Sequence, residues 1–192
     1  MNIGVLALQG SVAEHLKLIK SVNKKINAVP VKTIDELASV DGLIIPGGES
    51  TTLRRLMDEF ELFTPICERI VAGMPVWGTC AGLILLASRI EGETPYFKLL
   101  DVDVKRNAYG RQIDSFVTEG DFAGMYVNMV FIRAPKITRV GEGVTVLAEH
   151  DGMPVAVRQD NILATAFHPE MTRDNRVHKY FMSMIDDKGR DD

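Results

Sequence analysis

The chain begins with an unbroken apolar run, Ile3–Leu8, in which no polar position alternates with the hydrophobic ones, the mark of a strand covered on both faces. The period then changes. Ser11 and Glu14 stand at capping-box spacing, and Leu16, Ile19 and Val22 follow at helical intervals, which predicts a helix. Asn27–Val31 reads as a second strand, Thr33–Leu37 as a short helix, and Gly42–Ile45 as a third strand stopped by Pro46-Gly47-Gly48. Helices are predicted over Thr52–Phe60 and Phe63–Ala72, with Gly73 closing the second. Val76–Thr79 is a fourth buried strand, passing without a linker into Cys80 and the apolar helix Ala81–Ser88.

The second half is richer in strands. Val102–Lys105, Ser115–Glu119, Val127–Ile132, Val144–His150, Pro154–Gln159 and Ile162–Ala166 are strand candidates with little helix between them. Alternating strands and helices followed by added strands predict an α/β fold, its central sheet mostly parallel with antiparallel additions. A last helix is expected over Arg176–Ile185, with the polar Asp186–Asp192 as a frayed tail. With 192 residues, no internal repeat and no compositional break, one domain over 1–192 is expected.

Composition removes several function classes. Lys and Arg number 22 against 26 Asp and Glu, a net charge of −4. That balance speaks against nonspecific nucleic-acid binding, which needs surplus cations facing phosphates, and against docking on an anionic membrane. No apolar run approaches the ~18 residues of a membrane span, and the start MNIGVLALQG lacks the cationic region of a signal peptide. Cys67 and Cys80 cannot build a disulfide framework, so a reducing cytoplasm is the expected compartment. Two cysteines and four histidines without zinc-ligand spacing lead us to expect no metal.

The chemistry gathers at three places. Gly78-Thr79-Cys80-Ala81-Gly82 is G-x-C-x-G between a strand and a helix, the thiol counterpart of the nucleophile elbow. So tight a turn brings neighbouring chain against positions −2 and +2, where glycine avoids a clash. The helix N-terminus favours negative charge at the sulfur, and the Ala81 N–H can donate to an oxyanion. His168-Pro169-Glu170 follows a strand and can supply an imidazole base with a carboxylate to orient it. Pro46-Gly47-Gly48-Glu49-Ser50 ends the third strand, and its glycines let a backbone N–H turn toward a ligand as a second oxyanion donor. The loop lacks both phosphate-binding glycine patterns. Taken singly, each feature has a plainer reading: a buried structural thiol, a surface turn, a simple loop. Cys67, mid-helix, reads as core, and His15, His150 and His178 as solvated or capping side chains.

In this order, the P-G-G loop, the G-x-C-x-G elbow and the terminal H-P-E resemble the class I, triad-type glutamine amidotransferases. Leu8-Gln9-Gly10 with Glu14-His15, PGGESTT (46–52), WGTCAGL (77–83), RNAYGRQIDSF (106–116), FIRAP (131–135) and FHPE (167–170) are together similar to the glutaminase subunits of pyridoxal 5′-phosphate synthases. Trp77 stands where that family more often has Phe, a packing variation. The resemblance implies a flavodoxin-like fold with helices on both faces of the sheet. It also implies hydrolysis of L-glutamine to glutamate and ammonia through a glutamyl thioester. Cys80, His168 and Glu170 would form the triad, and Gly48 with Ala81 the oxyanion hole. Gly48, Glu49, Ser50, Arg106, Ile132 and Arg133 would contact glutamine, Arg106 through the α-carboxylate or as a nearby anchor.

The same resemblance implies a synthase subunit as ammonia acceptor and activator, which builds pyridoxal phosphate from a pentose phosphate and a triose phosphate. The cofactor would be that partner's product, so this chain is expected to need none. Because the Gly47-Gly48 peptide can turn over cheaply near Gln9, docking of the partner is expected to lock its productive orientation. Three alternatives carry their own expectations. A glutaminase feeding another synthase, such as that for imidazole glycerol phosphate, would share the triad. A cysteine peptidase or other thiol hydrolase would ignore free glutamine. A redox-sensing α/β module using Cys80 would leave His168-Pro169-Glu170 without a purpose.

Overall fold

The computed structural model describes residues 1–106 and 115–191, with side chains as far as residue 187. The chain starts β1 (Asn2–Leu6), α1 (Val12–Val22), β2 (Asn27–Val31), α2 (Ile34–Ala38) and β3 (Gly42–Ile45). It continues α3 (Ser50–Glu59), α4 (Phe63–Val71), β4 (Val76–Thr79), α5 (Ala81–Leu86), β5 (Ala87–Ile90) and β6 (Leu100–Lys105). Then come β7 (Ser115–Phe122), β8 (Met125–Ile132), β9 (Lys136–Val140), β10 (Thr145–His150), β11 (Met153–Gln159) and β12 (Ile162–Thr165). A 3-10 turn, Pro169–Met171, leads to α6 (Arg176–Asp191).

A seven-stranded sheet in the order β10-β11-β12-β4-β3-β1-β2 forms the centre. The five strands β2, β1, β3, β4 and β12 are parallel, and β11 and β10 extend them antiparallel. Residues 3–6 of β1 and all four of β3 and β4 are buried, as uninterrupted apolar runs require when helices cover both faces. The order is the flavodoxin-like arrangement: β1 connects outward to β2, whereas β3 connects the other way to β4. Right-handed crossovers therefore put α1 on one face, where α6 joins it, and α3, α4 and α5 on the other. The change of direction leaves a crevice at the carboxyl ends of β1 and β3, the place where such sheets take ligands.

Two smaller sheets complete the second half, β5-β6-β9 and the hairpin β7-β8. The hairpin turns on Ala123 and Gly124, both with positive φ (50° and 80°), the twist that a two-residue connection needs.

Several expectations change. The predicted helix Ala81–Ser88 stops at Leu86, and Ala87 turns into β5 to pair with Leu100. β9 lay outside the predicted strands; its Arg139 stays half-exposed on Asp101 and Asp103, so no hydrophobic alternation marks it. Helix α3 starts at Ser50, two residues before Thr52, because the Glu49 side chain caps the Thr52 N–H. Ser11 occupies the N-cap of α1 but makes no side-chain cap; its hydroxyl goes elsewhere. Helix α6 runs on to Asp191, so 186–191 continue the helix where a frayed tail was expected; extension adds a backbone bond per residue once a helix is nucleated. No helix among the described residues is long and apolar enough to cross a membrane.

Candidate active site

The crevice at the ends of β1 and β3 holds a cavity of about 520 Å³. Gly48, Glu49, Ser50, Cys80, Arg106, Ile132, Arg133 and His168 all line it, joined by Gln9, Gly10, Ser11, Glu14, Gly47, Ile84 and Met171. Of the candidate residues, only Ala81 and Glu170 are not on its wall. Ala81 is the first residue of α5, directly after Cys80, and Glu170 lies behind His168. Residues 107–114 of the Arg106–Phe116 block lie outside the described residues.

Cys80 sits at φ +49° and ψ −97°, a conformation L-residues rarely adopt, between β4 and α5. Its N–H donates to the Thr165 carbonyl at 2.8 Å, which ties the turn to β12. The flanking glycines are sterically demanded. A Cβ on Gly78 would lie 2.5 Å from the Gly82 carbonyl carbon, and one on Gly82 would overlap the Ile45 carbonyl oxygen. Cys80 is 6% exposed, and its Sγ points at the Ile132 carbonyl, 3.9 Å away at the end of β8.

Opposite the sulfur stands His168, delivered by β12 and anchored by its N–H to the Val130 carbonyl at 2.7 Å. Its Nδ1 is 2.8 Å from Glu170 Oε1, and the ring lies close enough to Cys80 for the two groups to interact. Burial alone would lower the His168 pKa, but hydrogen bonds to Cys80 and Glu170, with their negative charges, outweigh it and raise it. The imidazolium form is therefore favoured. Glu170 has a fully buried side chain whose Oε1 also accepts from the Ser11 hydroxyl at 2.6 Å. Burial opposes its charge, yet His15 and His168, with hydrogen bonds from His168 and Ser11, hold its pKa down to about 2. Burial also lowers the pKa of His15 itself, so His15 acts on Glu170 as a neutral N–H dipole and His168 supplies the full charge.

The glycine loop is built around its neighbours. A Cβ on Gly47 would enter the His168 ring, 2.8 Å from Nδ1, and one on Gly48 would collide with the Gln9 amide. Gln9 Oε1 accepts the Glu49 N–H at 2.9 Å, and the Gly47 carbonyl accepts from the Ser11 N–H at 3.1 Å. Arg106 is committed: its guanidinium meets Glu49 at 3.2 Å, Glu93 at 3.0 Å and the Tyr96 hydroxyl at 3.1 Å. Glu49 is pulled down to about 2; partial burial opposes this, but bonds from the Thr51 hydroxyl and the Thr52 and Thr51 amides, plus the Arg106 charge, prevail. Arg133, by contrast, has φ +46° and no ion pair among the described residues. The Ser50 hydroxyl is buried and lacks a hydrogen-bond partner among them.

A family model describing SNO glutamine amidotransferases matches residues 5–187. The chain belongs to the SNO glutamine amidotransferase family. A pyridoxal 5′-phosphate synthase subunit PdxT of Mycobacteroides abscessus is 52% identical over 188 residues, covering 95% of this chain and 96% of that one. A PdxT of a Geobacillus species is 50% identical over 188 residues, covering 96% and 97%. Among solved structures, a crystal structure of a glutamine amidotransferase superposes with a TM-score of 0.90 at 43% identity, covering 95% of this chain and 98% of that one. PurLQS of Thermotoga maritima, 13% identical, shares the fold with a TM-score of 0.70, covering 97% of each chain. The family's α/β architecture is thus the one the sequence predicts.

Nothing in the sequence marks Ser11 as a partner of the carboxylate, and His15 and His178, expected as solvated or capping side chains, are both fully buried. The Glu14-His15 pair stood among the family-like blocks, the one signal that could have marked His15.

Proposed function

We propose that this chain is the glutaminase subunit of a pyridoxal 5′-phosphate synthase, a single domain acting in a reducing cytoplasm that hydrolyses L-glutamine and passes ammonia to a synthase subunit. One observation carries the chemistry: His168 is bonded to Glu170 on one side and interacts with Cys80 on the other, and both the sulfur and the ring line the cavity. Similarity to PdxT proteins supports the partner and the pathway.

In this reading His168 already holds the Cys80 proton as its imidazolium, and the thiolate attacks the side-chain amide carbon of glutamine. The Ala81 N–H and the Gly48 N–H hold the oxyanion. His168 then protonates the departing nitrogen, ammonia leaves, and a glutamyl thioester remains. Water activated by the same imidazole hydrolyses the thioester to glutamate and restores the thiol. Glu170 keeps the His168 ring aimed and stabilises its positive charge. Arg133, without a carboxylate of its own, suits the α-carboxylate of glutamine, and the Ser50 hydroxyl and the Ile132 backbone complete the contacts. Arg106 serves as the anchor of Glu49, since its guanidinium already faces Glu49, Glu93 and the Tyr96 hydroxyl.

The Ser11 N–H holds the Gly47 carbonyl, so the orientation of the Gly48 N–H depends on the loop after β1. A partner reaching that loop would set the oxyanion hole, and one missing donor slows such a reaction by about 10²–10³-fold. Glutamate release should therefore be slow with the chain alone and rise by that order on adding the synthase subunit. Cys80→Ser should stay silent in both conditions. Equal turnover with and without the synthase would remove the activation, and full turnover by Cys80→Ser would remove the triad.

A further inference from the structure

Glu170 Oε1 has two hydrogen-bond partners, but Oε2 has none of ordinary length in a fully buried carboxylate. The polar atom facing it is His15 Nε2 at 3.5 Å, which also lies 3.4 Å from the Thr79 hydroxyl. His15 comes from α1, is fully buried, and cannot swing away. Its Nδ1 meets His178 Nε2 of α6 at 3.0 Å, and the Trp77 ring packs edge-on against both imidazoles, 5.4 Å from one centroid and 4.8 Å from the other. Neither histidine has a part in the chemistry proposed above.

The tautomer follows from the surroundings. An anionic carboxylate beside Nε2 calls for a proton there, so Nδ1 is the acceptor and His178 donates to it through Nε2–H. The lone pair of His178 Nδ1 then remains buried without a donor, in keeping with its lack of a partner. Direction thus runs one way, from His178 to His15 to Glu170 to His168. We propose that His15 is a positioning residue for the glutaminase reaction: its Nε2–H holds Glu170 Oε2 while Ser11 and His168 hold Oε1, so the carboxylate cannot rotate off the His168 ring. This rests on the triad reading given above.

Burial, the largest influence on the His15 ring, keeps it neutral against the carboxylates that face it. Glu14 on its own helix and Glu170 in the 3-10 turn favour a proton, while His168 opposes it; Thr79 and Trp77 of β4 are uncharged. His178 on α6 is itself kept neutral, first by burial and then by His15, with Glu170 and Asp174 pulling the other way. A charged His15 would compete with His168 for the carboxylate.

The test is made on the full chain with the synthase subunit present. His15→Leu should lower kcat about tenfold, the scale of one hydrogen bond to a charged group, with KM for glutamine within about twofold. The basic limb of its kcat/KM profile should move to lower pH, because a loosened Glu170 supports the His168 proton less well. His15→Gln, which retains an N–H donor, should recover most of both. If His15→Leu does not fold, His178→Leu should show the same limb shift through a misdirected His15. A folded His15→Leu or His178→Leu with wild-type kcat and limb overturns the proposal, as does a His15→Gln no better than His15→Leu. Independently of turnover, 15N spectra should show His15 as the neutral Nε2–H tautomer from pH 5 to 8. An imidazolium or an Nδ1–H tautomer there overturns the positioning, whereas an active Cys80→Ser would instead overturn the triad beneath it.

Discussion

Backbone strain at Cys80 (φ +49°) costs on the order of 1–3 kcal/mol, and four glycines show what maintains it. Gly78 and Gly82 let β4, α5 and the end of β3 pass the sulfur, while Gly47 and Gly48 let the imidazole and the Gln9 amide reach the same cavity. Gly47→Ala should therefore fold but displace the His168 ring, with a kcat loss of about 10²-fold in steady-state assays, the usual cost of misplacing a reacting group by an ångström. Cys80→Ser should lose at least ~10³-fold while keeping the wild-type circular dichroism and melting curve. Glu170→Gln removes the carboxylate charge that raises the His168 pKa while keeping an oxygen that can accept from the ring. The basic limb of kcat/KM should then fall to lower pH; an unmoved limb would show that Glu170 does not act on the ring.

At the scale of elements, local sequence decides where local bonds decide. Thr33 and Glu36 exchange both bonds of a capping box at the start of α2, and Thr33→Ala should cost about 1 kcal/mol, read as a lower urea midpoint with unchanged slope. The buried strands β1, β3 and β4 are legible because a continuous apolar run between glycine and proline stops leaves few alternatives. The glycine loop and the elbow are legible for the same reason: their sterics are settled within a few residues. What was not legible depends on distant partners. Ala87 looks helical until Leu100 pairs with it, and β9 has no apolar alternation because Arg139 spans two aspartates. Ser11 and Glu14 carry capping-box spacing, yet the Ser11 hydroxyl goes to Glu170, 159 residues away, a contact that spacing cannot announce.

The whole molecule places these pieces by topology. Reversal of strand order between β1 and β3 opens the crevice, β4 brings the cysteine, and β12 brings His168 in register beside it through Thr79 and Thr165. The same assembly couples stability to pH. Glu170 titrates near 2 in the folded chain and near 4.3 in an unfolded one, so its contribution is complete above about 4.3 and disappears as pH falls toward 2. His15 and His178, their pKa values lowered first by burial, bind protons more readily once unfolded, so stability also declines as pH drops below about 6.5. Urea midpoints taken from pH 7 to pH 3 should fall throughout, and Glu170→Gln should flatten the portion below about 4.3. The most direct measurement treats the chain, with its synthase subunit, with a diazoketone analogue of glutamine and maps the adduct by peptide mass spectrometry. One adduct is expected, on Cys80, that excess glutamine prevents and that abolishes glutamate release. An adduct on Cys67, or full glutamate release from a chain alkylated at Cys80, would contradict it.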